Sequence, residues 1–453
     1  MKQALFLFVA LFASITFSQS DSSWMRKFYD IALTDGDSYE NLRELCKDIG
    51  ARVTGSAEAD MAILWGKRKL ESYGFDNVFL QEIEVPHWER GTKESAWIDV
   101  DGKIIKLDIL ALGGSISTNG LLQGDLVVFS SLNALKKASP SQVKDKVVLI
   151  NQPMDAKQIS TFRAYGGCWP VRGLGAIEGA NLGARAVVIR SLGLPIDHHP
   201  HTGSMKYVDS VDKIPAAALS TSNCEMIQKL YDEGKKISIS MEMDCKSFPN
   251  KKSFNVIGEI KGSKKPDEFI AFGGHLDSWD VGEGAHDDGA GIVHSIEALR
   301  LLKEAGYQPK HTLRVVLFMN EENGNMGGKS YAKIVKEKGE KHIAAIESDR
   351  GGFAPRGFSV DGSKKHVDLL QGFSTLFEPY FLHDLNKGYG GVDINPLKNE
   401  FIGIPLFGLI PDSQRYFDLH HSKADVFESV NKRELELGCA SMASLIYLLD
   451  KNL

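Results

Sequence analysis

The chain has 453 residues, 43% of them hydrophobic and 25% charged, and a formal charge of -6. This composition excludes disordered, collagen-like and other fibrous chains, and the length allows two to three domains or one enzyme with a large insertion. The basic residues form no long block, which argues against nucleic acid or an anionic membrane as partners.

In chain order, Lys2 and an apolar run from Ala4 to Ile15 come first, closed by Thr16-Phe17-Ser18. A positive start, an apolar run too short to span a bilayer and small residues at its end read as an export signal, residues 1–18. No later stretch reaches the ~18 apolar residues of a membrane span, so the mature protein is expected to be soluble and periplasmic or extracellular. Export permits disulfides. The five cysteines (Cys46, Cys168, Cys224, Cys245 and Cys439) are scattered and odd in number. A Cys224–Cys245 bridge and buried free thiols both fit, and no C-x-x-C pair offers thiolate zinc.

Helices are expected over Asp21 to Leu33, Ser38 to Ile49 and Ala57 to Tyr73, the last capped by Ser56 and ended by Gly74. Strands follow over Val78 to Val85, Ser95 to Val100 and Ile104 to Leu110. From about Gly113 to Cys245 the texture changes to short strands (Gly124 to Phe129, Lys146 to Asn151, Ala184 to Arg190, Ile237 to Met243) among Gly-rich turns, with one helix from Arg172 to Leu182. That region reads as a separate module, which divides the mature chain into 19–112, an insert at 113–245 and a catalytic part at 246–453. Beyond it, strands at Phe254 to Ile260, Phe269 to Gly273, Leu313 to Met319 and His342 to Glu347 alternate with helices at Ala290 to Gly306 and Gly328 to Glu337. The alternation predicts an α/β fold with a central sheet covered by helices on both faces.

In such sheets, sites collect beyond the carboxyl ends of the strands. His275 and Asp277, Glu321-Glu322 and Asp349 all fall there, Asp287-Asp288 opens a helix, and His420-His421 follows later. Alone, each is a turn, a cap or a solvated loop. Together they would repel one another without a cation. Imidazole and carboxylate without thiolate suit zinc, and the donors outnumber the needs of one ion. The pattern reads as a two-metal hydrolase.

Four strings carry a resemblance: GGHLDSWDVGEGAHDDGAG at 273–291, NEENG at 320–324, ESDRGGF at 347–353 and DLHHSKADVFESV at 418–430. PHTG at 200–203 and IPAAALS at 214–220 add to it within the insert. From about Tyr39 onward the chain resembles the carboxypeptidase Q group of the di-zinc aminopeptidase and glutamate carboxypeptidase superfamily. The resemblance implies a zinc-exopeptidase three-layer α/β fold with a mixed central sheet, plus an inserted, mainly-β protease-associated domain. It also implies two Zn2+ ions, one held by His275 and Asp349, the other by Glu322 and His421, with Asp287 bridging. Glu321 would be the general base for a water shared by the ions, and Asp277 would accept a hydrogen bond from the other nitrogen of His275 and fix its tautomer. A cis peptide is implied at Asp287-Asp288. His420 stands where related carboxypeptidases carry an oxyanion-binding Tyr, and it takes either that role or a supporting one.

Arg350 and Val426 depart from the animal members of the group, which carry a small residue and Thr at these positions. Arg350 is expected in a structural ion pair, with a substrate carboxylate as its alternative partner. The cluster His198-His199-Pro200-His201 is expected to be a loop lining the cleft, and the GVDIN string at 391–395 a pocket loop or a structural turn.

The function implied is an exported exopeptidase hydrolysing short peptides, dipeptides first, in an assembly that is a homodimer by family habit. Two alternatives stand beside it. A glutaminyl cyclase-like transferase uses one zinc, and a receptor-like binding protein on the same fold would have lost ligands, whereas all six positions are intact here. HExxH is absent. The end of the peptide that is recognised is left open.

Overall fold

Two eight-stranded sheets organise the protein. The computed structural model describes residues 21–453, so the expected leader at 1–18 lies outside the described residues. Among these residues no helix is long and apolar enough to cross a membrane.

The first sheet runs, edge to edge, Asn77–Glu89, Lys246–Ile260, His311–Phe318, Lys265–His275, Lys341–Glu347, Leu406–Pro411, Pro355–Asp361 and Asp384–Lys387. Four central strands, from His311–Phe318 through Leu406–Pro411, are mutually parallel, while antiparallel strands flank them. Alternation fixes both faces. Ile270 and Phe272 face one apolar core with Val315 and Leu317, and Ala271 faces a second with Val316 and Phe318. The first core is covered by the helices 21–35, Ala57–Ser72, Ala290–Glu304 and Lys432–Asn452, the second by Met326–Glu337. Burial on both sides explains why these strands read as continuous apolar runs. The expected mixed sheet between helical layers is therefore present.

Local signals act as expected at several ends. Ser56 Oγ accepts from Ala59 N, and Gly74 takes φ +62 after the helix Ala57–Ser72. The segment expected as one helix over Ser38 to Ile49 is α only to Arg43 and continues as a π turn over Glu44–Ile49.

The second sheet runs Lys103–Leu107, Glu94–Val100, Ile237–Met243, Leu122–Phe129, Val147–Ile150, Ala186–Arg190, Ala216–Leu219 and Ile109–Ala111. Three of its strands precede residue 113, where the sequence reading placed the start of the insert. They alternate like the strand Asn77–Glu89 before them, so texture alone did not separate them. Nor is this unit mainly β: four of its strands run parallel, and helices Thr161–Asn181 and Thr221–Asp232 cover them. The first of these helices starts eleven residues before its expected start at Arg172, because Gly166, Gly167 and Pro170 read as breakers. Ala164, Cys168, Val171 and Ala176 are buried in one core and hold it together despite the lost N–H of Pro170. All five cysteines are buried free thiols, so Cys224 and Cys245 form no bridge.

Candidate metal centre

Register brings three loops to one level. His275 ends its strand opposite Phe318, and Gly273 lies opposite Glu347 on the other side. The loops carrying Asn320-Glu321-Glu322 and Ser348-Asp349 therefore leave the sheet beside His275.

His275 Nδ1 donates to the backbone carbonyl of Asp277 at 2.9 Å. A carbonyl only accepts, so the proton sits on Nδ1 and leaves the Nε2 lone pair free. That Nε2 lies 3.2 Å from Asp287 Oδ1 and 3.6 Å from Asp349 Oδ1. Asp277 is the expected acceptor, and it accepts through its main chain, while its carboxylate stands off at 3.8 Å. Its oxygens are engaged elsewhere: they accept from Asn320 N (2.7 Å), Glu321 N (3.1 Å), Glu322 N (3.3 Å) and Thr54 Oγ1 (2.9 Å). Asp277 thus fixes the tautomer of His275 through its main chain and gathers the two-glutamate turn with its side chain.

Asp287 is positioned by its neighbours. The Asp425 carboxylate accepts from His286 N at 2.7 Å and Asp287 N at 3.0 Å, while Asp288 accepts from His275 N and Gly291 N, both at 3.0 Å. The Asp287-Asp288 peptide is cis, as the resemblance implied. The wholly buried Arg52 bonds to the carbonyls of Leu276 and Gly284 on either side of the loop.

His421 adopts φ +60. Its Nε2 lies 3.1 Å from Asp287 Oδ2 and 3.0 Å from Glu322 Oε2. Its main-chain oxygen accepts from Thr202 N at 2.9 Å, and its Nδ1 lies 3.2 Å from Thr202 O. Arg172 donates to the same Thr202 oxygen at 3.1 Å. His420 stacks on His421 with ring centroids 3.5 Å apart, sits among Tyr165, Tyr416 and Phe417, and places Nε2 3.5 Å from Asp287 Oδ2. His275, Asp287 and Asp349 form one group of converging ligand atoms and Asp287, His420 and His421 another, so Asp287 belongs to both.

Burial and like charge set the electrostatics of these side chains. Burial, with Asp349 and Glu322 nearby, holds Glu321 well above the ordinary carboxylate range, and burial likewise raises Glu322 and Asp349. Burial also works against a charged imidazole at His421, but Glu322 and Asp287 outweigh it and bring its pKa to about 9. His420, with no such pairing, is pushed well below the usual value by burial and by His421. Two buried carboxylate oxygens, Asp287 Oδ2 and Glu322 Oε1, have no hydrogen-bond partner. Crowded acids with orphaned oxygens and free imidazole nitrogens fit a cation, and N/O donors without thiolate fit zinc.

These groups open on a cleft of about 690 Å³. The GVDIN loop is both a wall and a scaffold: Gly391 and Val392 line the cleft, while the buried Glu347 accepts from Val392 N at 2.7 Å and Ile394 N at 2.9 Å. The histidine cluster divides. His198 is exposed against Asp108, whereas His201 is buried and its Nδ1 donates to His420 O at 2.7 Å. Arg350 is not in the expected ion pair. It lines the cleft and donates to Tyr389 O at 2.9 Å and to Ser359 Oγ. Sequence reasoning missed Arg172, Tyr165 and Glu347. The PHTG string pointed toward Thr202, but nothing local marked Arg172.

The sequence pattern of peptidase family M28 matches residues 255–445, which contain every proposed ligand. Bovine (Bos taurus) carboxypeptidase Q is 36% identical over 413 residues, 91% of this chain and 84% of that protein. The chain belongs to peptidase family M28. This M28 peptidase is a carboxypeptidase Q-like metallo-exopeptidase. A solved peptidase M28 precursor from Shewanella amazonensis SB2B is 31% identical, with a TM-score of 0.90 over 96% of this chain and 97% of that one. BSAP, a zinc aminopeptidase from Bacillus subtilis, shares the fold at 20% identity and a TM-score of 0.63, covering 90% of this chain and 94% of that one.

Proposed function

We propose that this M28 peptidase is an exported two-zinc exopeptidase that hydrolyses short peptides, dipeptides foremost. The observation that carries the reading is the sharing of Asp287 by two converging ligand groups, with Asp287 Oδ2 and Glu322 Oε1 buried and unpartnered. His275 and Asp349 would hold one ion, Glu322 and His421 the other, and Asp287 both. Bound zinc supplies a water of lowered pKa and a clamp on the reacting oxygens.

The protein's own groups do the rest. Glu321 is only partly buried and lines the cleft, and its main chain is tied to Asp277 while its carboxylate is free to act. Held above the ordinary carboxylate range, it is suited to take a proton from water and return it to the leaving amine near neutral pH. His420 stays neutral beside Asp287, so it keeps one N–H that can donate to a developing oxyanion. The second sheet is the inserted protease-associated unit in this reading. Its Phe162, Tyr165 and Trp169 line the same cleft and restrict it to short substrates. Export rests on the apolar leader in the sequence.

The test is zinc content and dipeptide hydrolysis on the mature protein and on Glu321→Gln. About two zinc per chain in both proteins, with kcat reduced about 10²- to 10⁴-fold in the variant, is the expected result. One zinc, or a variant of unchanged rate, would overturn the assignment.

A further inference from the structure

Acids dominate the cleft: Asp287, Glu321, Glu322, Glu347 and Asp349 all reach it. A substrate carboxylate entering it meets repulsion everywhere except where a cation stands. Four cationic side chains line the cleft, Arg163, Arg172, Arg350 and Lys387. Arg172 is already committed, to Thr202 O and to the Tyr165 hydroxyl, and of the others Arg350 alone adjoins a proposed ligand, Asp349. Arg350, next in sequence to Asp349, is differently placed. Among the described residues it forms no ion pair, and its bonds go to one carbonyl, Tyr389 O at 2.9 Å, and one hydroxyl, Ser359 Oγ at 3.4 Å. A guanidinium carries five N–H donors in a planar fork. Arg350 lines the cleft, its Nε is not a buried orphan, and its two bonds use only part of the fork. Phe162, from the second sheet's long helix, lies 5.8 Å from the guanidinium and helps hold it in place.

We propose that Arg350 forms the subsite for a substrate carboxylate, binding it by a paired, charge-assisted contact. The proposal rests on the short-peptide reading above. The carboxylate is either the α-carboxylate of a dipeptide or the side chain of an acidic second residue. The surrounding acids favour the amino end of the same substrate, so the cleft selects peptides charged at both ends over blocked ones.

The experiment compares kcat/KM of the zinc-loaded wild type, Arg350→Ala and Arg350→Lys on three substrates: alanyl-alanine, alanyl-alanine amide and alanyl-glutamate α-amide, which keeps only the side-chain carboxylate. A wild-type preference for one carboxylate substrate over the amide, falling about 10- to 100-fold in Arg350→Ala with the amide rate kept, is expected. Arg350→Lys should retain part of the preference, since it keeps the charge but not the fork. The favoured substrate identifies the source of the carboxylate. Equal losses on all three substrates, or no preference in the wild type, would overturn the subsite while leaving the peptidase reading intact. A wild type inactive on every dipeptide would instead remove the short-peptide reading, and the subsite with it.

Discussion

The Asp277 carboxylate accepts four hydrogen bonds, three of them from consecutive backbone N–H groups that place Glu321 and Glu322 on opposite sides of one turn. Asp277→Asn keeps the shape but turns one oxygen into a donor facing other donors. Each donor left unsatisfied costs about 1–3 kcal/mol, and the turn should shift. We expect kcat to fall about 10- to 100-fold together with zinc affinity, measured by zinc titration and dipeptide turnover. An unchanged zinc affinity would mean that the carboxylate does not set the turn. At this scale the sequence was informative about which residues meet and less so about how. His275 and Asp349 meet Asp287, and so do His420 and His421; register brings the strand ends beside His275 and Asp349 level. Asp277 is the partner of His275 Nδ1 as expected, but through its main-chain oxygen, which leaves no trace in side-chain identity. Arg350 was misassigned because its partners, Tyr389 O and Ser359 Oγ, are set by tertiary placement.

A loop of the second sheet and a turn of the first close on each other. Thr202 and His421 exchange backbone contacts, His201 binds His420 O, and Gly203 packs where any larger residue would collide. A Cβ at Gly203 would lie 2.3 Å from Arg172 and 2.6 Å from His421 Nδ1, on a backbone at φ +131 that L side chains rarely adopt. Gly203→Ala should therefore displace His421 and lower zinc affinity about 10- to 100-fold. Circular dichroism and zinc titration would check this, with secondary structure expected to be unchanged. Normal zinc binding would show that the clamp is dispensable. Elements with strong periodicity, such as Ala290–Glu304, were legible to within two residues. The helix Thr161–Asn181 was not, since packing in its core overrides two glycines and a proline.

Three aromatic residues of the catalytic part, Phe353, Tyr416 and Phe417, are buried in the same apolar cluster as the second sheet's long helix. Phe417 is 1% exposed and packs against Phe162, Tyr165 and His420. Phe417→Ala should cost about 3–5 kcal/mol. Activity should then be lost at a lower urea concentration than the bulk fluorescence transition, because the turn carrying His420 and His421 loosens first; coincident curves would argue against a shared core. Strands of both sheets alternate alike and pairing decides their membership, which is why the strands Glu94–Val100, Lys103–Leu107 and Ile109–Ala111 could not be assigned to the second sheet from the sequence. The clamp between Thr202 and His421 also bears on timing. These residues lie far apart in the sequence, and the second belongs to the last tenth of the chain. A nascent chain that already displays Thr202, His275, Asp287, Glu322 and Asp349 still lacks His421, the half of the contact that carries the remaining imidazole. Under the two-zinc reading proposed above, full metal capture would wait until synthesis is nearly complete, and an incomplete chain would lack one ligand of the second ion.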